Sequence, residues 1–511
     1  MNDKKFAELS RREFLRRTAC AAVGTAAMTS AISDLRLMNA AVAQSNIGPN
    51  DYKALVCIFL QGGNDSNNLI IPTSAAQYAY YNQTRSPVLA IPSNFILPVA
   101  SLGSNGTNSG DGNTYGLHPS CPELQQLFGE GKLAFLFNTG TLVYPLTLAQ
   151  YSSNSVPRPP QLFSHADQQT QWQTSVPDQP PTTGWGGRCA DLLNSVQPNA
   201  PISLMVSLAG ANTFEIGNIV AQYSVSNGGA ISLALPTNPG GGANTNRLPA
   251  LMSLLGLPYS NLQAQAYASV AEQSINSAAL LNNAISNTIA PSYWTNVNTN
   301  TGLAGFPTKI TSPVTGSPAF ASSLSPQLQM IARLIAAGST AVANGGFGMK
   351  RQIFFCQVGG YDLHTGQTNY SSNSPNNVLL GSHTNLLAEL SQSMFAFQRA
   401  MEQLGLSESV TSFTASDFGR TFPSNGQGSD HGWGSHHLIL GGAVNGQHTY
   451  GQFPSFRANS PNDLGTGRWI PTTAIDQYFA TLATWFGVDP GNLSTVFPNI
   501  GRFTSSNLGF I

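Results

Sequence analysis

The sequence contains little charge. Asp, Glu, Lys and Arg make up only 9% of the 511 residues, against roughly 25% in an average soluble domain. The 22 basic and 23 acidic residues nearly cancel, and the net charge is -1. This balance gives no indication of the strongly basic surface of a protein that binds nucleic acid or an anionic membrane. We therefore expect neither partner.

Cysteine is also scarce, with five residues and no Cys-x-x-Cys spacing, so the sequence does not predict a thiolate zinc site. Cys57 and Cys356 lie in apolar runs and are expected to be small buried side chains. Cys121 and Cys189 have the option of pairing in an oxidising compartment. The sequence leaves that disulfide open.

Long apolar runs are absent as well. Beyond residue 43, no apolar run is long enough to span a bilayer. The N-terminus has the form of a twin-arginine export signal, with paired arginines at 10–17, an alanine-rich run at 19–27 and an Ala-Val-Ala cleavage site at 41–43. It predicts that the twin-arginine translocase exports the chain to the periplasm or beyond. A basic amphipathic helix is the alternative interpretation.

Apolar runs alternate with long helical patterns in the remaining residues 44–511. Strands are predicted at 53–60, 132–138, 351–358, 409–415 and 438–444, and helices at 116–128, 249–289, 326–343, 377–406 and 475–486. Strands that are apolar on both sides need helices on both faces, so we expect one doubly wound, mostly parallel α/β sheet. Residues 94–115 predict a loop, and 200–325 are expected to form an insertion or cap on this domain.

Acidic residues and histidines follow three of these strands. The candidate metal ligands are Asp65, Asp362, His364, Asp417, Asp430, His431 and, more weakly, His436. The carboxyl ends of parallel strands share one edge of a sheet, so these side chains can converge. Carboxylates and imidazoles suit one or two divalent ions of zinc, manganese or calcium. Taken singly, each residue has an ordinary alternative, such as a turn capped by Asp65.

Ser164 is the candidate nucleophile. It precedes a helical pattern, and the N–H groups of a helix N-terminus favour a phosphate or sulfate; a plain N-cap is the alternative. Arg420 could clamp a substrate oxyanion, or else form a structural ion pair with one of the aspartates. The chain has no Gly-x-Ser-x-Gly elbow and no dinucleotide-binding fingerprint, which disfavours an α/β-hydrolase esterase and a dinucleotide enzyme.

Several motifs make the chain resemble the bacterial domain-of-unknown-function family 1501. They are Arg-Arg-Glu-Phe-Leu at 11–15, Gly-Gly-Asn-Asp at 62–65, Leu-His-Pro at 117–119, Ser-His at 164–165, Gly-Gly-Tyr-Asp-Leu-His at 359–364, Ser-Asp-Phe-Gly-Arg-Thr at 416–421, Asp-His-Gly at 430–432, Arg-Trp-Ile-Pro-Thr-Thr at 468–473 and Val-Phe-Pro-Asn at 496–499. That family looks related to the alkaline phosphatase and sulfatase superfamily of metal-dependent hydrolases. The resemblance implies a three-layer α/β/α sandwich with its site at the carboxyl edge of the sheet. Phe418 is a departure, because the superfamily often has Ser-Asp-His-Gly there.

These observations together predict an exported, metal-dependent hydrolase of phosphate or sulfate esters, acting on a small-molecule or polysaccharide ester. The alternative is a non-catalytic exported binding or cell-surface protein on the same fold. The missing nucleophile motif favours that alternative. Loops rich in Asn, Ser and Gly would also suit contact with a carbohydrate.

Overall fold

The centre of the fold is a large mixed sheet whose strands are mostly parallel. The computed structural model describes residues 51–103, 113–197, 200–230, 246–288, 305–457 and 460–511. The predicted export signal at 1–43 lies outside these residues. Among the described residues, ten strands join in the central sheet.

The strands alternate with helices along most of the chain. They are β1 Lys53–Leu60, β2 Ile70–Pro72, β3 Leu97–Val99, β4 Tyr115–Leu117, β5 Leu133–Gly140, β6 Met205–Ser207, β7 Tyr223–Ser226, β8 Gly229–Ala230, β9 Lys309–Ile310, β10 Phe320–Ala321, β11 Arg351–Val358, β12 Val410–Ser416, β13 Ser435–Gly441, β14 Thr449–Tyr450 and β15 Thr473–Ala474. The central sheet has the order β14-β5-β13-β12-β1-β11-β6-β7-β8, and β15 pairs with β5. β1 is parallel to β11 and β12, whereas β13 is antiparallel to β12 and β5.

β1 shows why the centre of this sheet is buried on both sides. Successive side chains of a strand point to opposite faces. Val56 and Ile58 lie in one core, and Leu55 and Phe59 lie in a second core. The strands predicted at 53–60 and 351–358 are confirmed with the same bounds.

Helices cover both faces of the sheet. They are α1 Ser66–Leu69, α2 Ala75–Arg85, α3 Pro122–Gly129, α4 Leu148–Ser153, α5 His165–Thr174, α6 Trp185–Leu193, α7 Arg247–Leu255, α8 Leu262–Thr288, α9 Leu324–Ser339, α10 Ser382–Gln403, α11 Ile475–Phe486 and α12 Leu493–Val496. Ile331 of α9 and Leu390 of α10 belong to the first core, and Trp185 of α6 and Phe479 of α11 belong to the second. The predicted α/β class with a mostly parallel sheet is confirmed.

The region before α3 differs from its prediction. Residues 116–128 are not one helix, because Tyr115–Leu117 pairs with Ile70–Pro72 and with Leu97–Val99 in a small antiparallel sheet. The helix begins only at Pro122, and proline is favoured in a first turn. The loop predicted at 94–115 therefore contains β3 and the first residue of β4.

The segment predicted as an insertion or cap, 200–325, begins inside the sheet. β6 pairs with β11, and β7 continues the same edge, so this part extends the sheet. The helix predicted at 249–289 is two helices, α7 and α8. Gly256 and Pro258 separate them, and both residue types interrupt helices.

The four described cysteines are buried free thiols. Cys121 lies in the first core and Cys189 in the second. The sheet separates the two side chains, so the disulfide that the sequence left open is not formed. None of the helices described here has both the length and the hydrophobicity needed to cross a membrane.

One edge of the sheet collects most of the predicted site residues. Leu60 is opposite Val358 on β11 and Ser416 on β12, so the three strands end at the same level. Gly62 follows β1 with a φ of 116°, and a Cβ there would lie 2.4 Å from the backbone nitrogen of Asp362. Only glycine allows the loops after β1 and β11 to approach this closely.

Candidate metal centre

Asp362 is the centre of a close group of histidines at this edge. Its carboxylate oxygens lie 3.2 Å from His364 Nε2, 3.3 Å from His431 Nε2 and 3.3 Å from His165 Nε2. Oδ1 faces His364 and His431, whereas Oδ2 faces His165. We call these four residues the histidine cluster. The side chains of Asp362 and His364 are 45% and 43% exposed, so solvent reaches the group.

Each imidazole of the histidine cluster is oriented by an acceptor on its Nδ1 atom. The three contacts are His165 to Asp417 Oδ2 at 2.6 Å, His364 to Asp430 Oδ1 at 2.9 Å and His431 to the carbonyl oxygen of Phe163 at 2.8 Å. Carbonyl and carboxylate oxygens only accept hydrogen bonds, so Nδ1 is the donor in all three rings. In the neutral rings Nε2 therefore carries a lone pair. All three Nε2 atoms face Asp362.

Several distances inside the histidine cluster match those between the ligands of one ion, and one group that could hold it is made by His165, Asp362 and His431. A tetrahedral zinc ion with bonds of about 2.0–2.1 Å holds its ligand atoms about 3.3 Å apart. His364 Nε2 lies 2.9 Å from His431 Nε2, and two facing lone pairs repel unless a proton or a cation lies between them. His165 Nε2 is buried, and no described residue forms a hydrogen bond with it. The ligand atoms of His165, Asp362 and His431 all lie within 4.8 Å of one another, so these residues fit a metal ion.

The charges around the cluster favour a cation. Burial opposes ionisation of Asp362, but the hydrogen bond and charge of Arg420 outweigh it and hold the pKa of Asp362 below its ordinary value. A hydrogen bond from Asn425 likewise lowers the pKa of Asp430. Burial lowers the pKa of His431. At neutral pH both carboxylates are therefore ionised and the imidazole of His431 is neutral, as a ligand must be.

Asp417 holds His165 from the side of the ring that faces away from Asp362. It is fully buried, and its Oδ1 accepts a hydrogen bond from Gly62 N–H at 3.1 Å. Its Oδ2 accepts from Gln169 Nε2 at 2.9 Å as well as from His165. The bond to Asp417 raises the pKa of His165 against the effect of burial. Asp417 thus positions a candidate ligand.

Arg420 is a structural residue in this arrangement. It is 1% exposed, and Nη1 donates to Asp362 Oδ1 at 2.7 Å. Nη2 donates to the carbonyl oxygen of Ser429, and Nε donates to Ser429 Oγ at 3.4 Å. Each nitrogen already has a protein acceptor, so Arg420 forms the ion pair that was the alternative to a substrate clamp.

Two of the predicted ligands lie apart from the cluster. Asp65 is buried and forms an ion pair with Arg85 of α2. His436 lies in β13, where its Nδ1 accepts a hydrogen bond from Asn138 N–H at 3.1 Å. Burial lowers the pKa of His436 to about 3. Among the described residues, neither side chain contacts Asp362. Arg85 of α2 neutralises Asp65, and His436 is buried in the core.

Ser164 is the N-cap residue of α5, as its position in the sequence predicts. Its hydroxyl does not cap the helix but donates to Asp167 Oδ2 at 2.5 Å. The next residue, His165, is the first of the helix and reaches Asp362. The N-terminus of α5 therefore lies beside the histidine cluster.

His165 is the member of the cluster that the ligand prediction missed. A histidine after an N-cap serine has the form of an ordinary first-turn residue, and the Ser-His pair at 164–165 was the only signal. Its place depends on packing, because the Phe418 ring lies 4.8 Å from the ring of His165 and 4.6 Å from that of His431. No local pattern contains this contact.

Comparison with known proteins identifies the family. The sequence model of a family described as "Protein of unknown function (DUF1501)" matches residues 52–495, and the chain belongs to this family. No curated protein matches the chain. A solved structure titled "Crystal structure of Ps i-CgsB" is similar at 7% identity and a TM-score of 0.32, over 88% of this chain and 76% of that chain. A likeness this weak carries no argument about fold or function.

Proposed function

We propose that this member of the DUF1501 family is an exported, metal-dependent hydrolase of phosphate or sulfate esters. One observation carries the proposal: three imidazole Nε2 atoms are aimed at Asp362, and each ring is held by an acceptor on Nδ1. Proteins commonly fix imidazole ligands in this way. The ligand set favours zinc or manganese over calcium, which takes oxygen ligands.

His165, His364, His431 and Asp362 would hold the metal. The two oxygens of Asp362 face different imidazoles, so this carboxylate has the option of serving one ion or two. A divalent ion supplies a Lewis acid that stabilises negative charge on an ester oxygen. The half-exposed side chains of Asp362 and His364 leave the group open to a substrate from solvent.

Ser164 is the proposed nucleophile, and Asp167 is the group that orients it. Their hydrogen bond of 2.5 Å prepares the carboxylate to take the hydroxyl proton when Oγ attacks the phosphorus or sulfur atom. The Oγ bond forms, the ester alcohol leaves, and water then releases the phosphate or sulfate from Ser164. Main-chain N–H groups in the first turn of α5 favour the anionic group during these steps.

The type of fold and the cellular location are further parts of the proposal. A mixed sheet with helices on both faces and candidate residues at its carboxyl edge supports an alkaline phosphatase-like or sulfatase-like α/β/α sandwich. The paired arginines at 10–17 support export by the twin-arginine route. The substrate would then be a small-molecule or polysaccharide ester outside the cytoplasm.

A non-catalytic exported binding protein is the second candidate. One observation favours it: Arg420 is occupied by Asp362 and Ser429 and does not present a free clamp for a substrate oxyanion. Such a protein would keep an ion as a structural centre. It would bind a ligand such as a carbohydrate through its polar, uncharged surface.

A hydrolysis screen separates the two candidates. The metal-loaded chain is assayed with aryl phosphates, phosphodiesters and aryl sulfates, next to Ser164→Ala and the control Ser74→Ala. Ser74 is also an N-cap residue whose side chain does not cap its helix. We expect wild type and Ser74→Ala to hydrolyse one ester class, chelation to abolish turnover, and Ser164→Ala to lose kcat with its metal retained.

Two results would count against these assignments. Full turnover by Ser164→Ala would remove the nucleophile role. A metal-loaded chain that hydrolyses none of the esters and binds a glycan would favour the binding protein.

A further inference from the structure

We infer that Arg468 binds the anionic group of the substrate beside the histidine cluster. The inference rests on the proposed function and names the residue that would recognise a phosphate or sulfate there. Arg420 is occupied by Asp362 and Ser429, so another cation is needed for that role. Arg468 begins the Arg-Trp-Ile-Pro-Thr-Thr motif at 468–473.

Two contacts fix the Arg468 guanidinium next to the cluster. Its Nε donates to the carbonyl oxygen of His431 at 2.7 Å, and its Cζ lies 4.4 Å from the centre of the Phe163 ring. The Phe163 carbonyl oxygen is also the acceptor for His431 Nδ1. The residues that orient a candidate metal ligand therefore orient Arg468 too, and Ser164 follows Phe163 directly.

Among the described residues, no hydrogen bond or ion pair occupies the terminal nitrogens of Arg468. Over the part of the chain that the structure describes, its guanidinium belongs to no ion pair, and its hydrogen bond to protein is made by Nε. Arg85, Arg351, Arg399 and Arg502 each pair with a carboxylate instead. A guanidinium that is held in place by stacking and by Nε, with Nη1 and Nη2 open, is suited to two-pronged binding of phosphate or sulfate.

The charges near Arg468 indicate that a bound metal ion favours binding of an anionic group there. Four carboxylates, those of Asp167, Asp362, Asp417 and Asp430, outnumber the guanidiniums of Arg420 and Arg468. A divalent ion cancels that excess of negative charge. The ion therefore favours binding of an anion, and Arg468 would select esters with an anionic group over neutral ones.

The test is a calorimetric titration of inorganic phosphate into the metal-loaded full chain. Wild type is compared with Arg468→Gln, Arg468→Lys and the control Arg158→Gln. Arg158 also stacks on an aromatic ring, with Cζ 4.5 Å from the centre of Tyr151, and bonds to Asn154; among the described residues it contacts no member of the histidine cluster. Metals per chain and thermal unfolding are measured for each variant.

We expect Arg468→Gln to bind phosphate at least about tenfold more weakly, the loss that one charge-assisted hydrogen bond predicts. Arg468→Lys should fall between it and wild type, because lysine keeps the charge but not the fork. Arg158→Gln should match wild type, and all four proteins should carry the same amount of metal.

The experiment distinguishes failure of the Arg468 role from failure of the proposed function. Equal phosphate binding by wild type and Arg468→Gln, or a metal-loaded wild type that binds no phosphate, would overturn the role of Arg468 and leave the metal centre standing. A wild-type chain that takes up no metal would overturn the proposed function, and the role of Arg468 with it.

Discussion

Replacing Asp430 with asparagine is expected to weaken metal binding without unfolding the protein. Asp430 Oδ1 lies 2.9 Å from His364 Nδ1, and its side chain is 47% exposed. An amide accepts a weaker hydrogen bond than a carboxylate, and its NH2 group would repel the Nδ1 hydrogen, so His364 loses its fixed tautomer. Loss of such a partner costs about 10–100-fold in metal affinity, or about 1.4–2.8 kcal/mol.

Chelator competition at pH 7 measures this affinity for wild type, Asp430→Asn and the control Asp489→Asn. Asp489 is a partly buried aspartate that accepts a hydrogen bond from Gly491 N–H at 2.8 Å, away from the cluster. The metal-free variants should unfold within about 1 kcal/mol of wild type, because an exposed pair contributes little to stability. Equal metal affinity in Asp430→Asn and wild type would refute the argument that acceptors on Nδ1 prepare these imidazoles for metal.

Three further changes test residues around and outside the cluster. Asp65→Asn leaves the buried Arg85 without a counter-charge. Urea unfolding should show a loss of about 3–5 kcal/mol of stability, and the number of metals per chain should not change. Loss of metal would indicate that Asp65 is a ligand. Burial raises the pKa of Glu215 from 4.5 to about 8, so the folded chain holds a proton that the unfolded chain releases, and stability falls as pH rises through this window. Glu215→Gln should flatten that part of the stability profile, and an unchanged slope would contradict the assignment. Gly62→Ala would put a Cβ 2.4 Å from the backbone nitrogen of Asp362. This variant should destabilise the fold by at least about 1 kcal/mol and weaken metal binding in chelator competition. Wild-type stability and metal affinity would show that the loops tolerate a side chain.

The central strands were predictable because they are long and apolar on both sides. The run at 53–60 is too apolar to form a strand with one face in solvent, and its bounds match β1. The short strand Tyr115–Leu117 has glycine at its centre and gives no such signal. It exists because two other short strands pair with it, which is a tertiary cause.

The candidate site was predictable where it follows strand ends. Asp362, His364 and His431 lie in loops that leave one edge of the sheet, and parallel strands bring such loops together. His165 comes from a helix, so its approach depends on how α5 packs. Asp65 also follows a strand, but whether it binds a metal or an arginine depends on Arg85, twenty residues later in the chain.

Metal content tests the central claim most directly. The full chain is expressed and purified, and metals per chain are counted by inductively coupled plasma mass spectrometry. The comparison proteins are a His364→Ala, His431→Ala double variant and the control His448→Ala, whose Nδ1 lies 2.8 Å from the Gly446 carbonyl oxygen. Near-stoichiometric zinc or manganese in wild type and in His448→Ala, lost from the double variant, is the predicted result. A wild-type protein that is folded and free of metal, and that takes up none when zinc or manganese is supplied, would contradict the account.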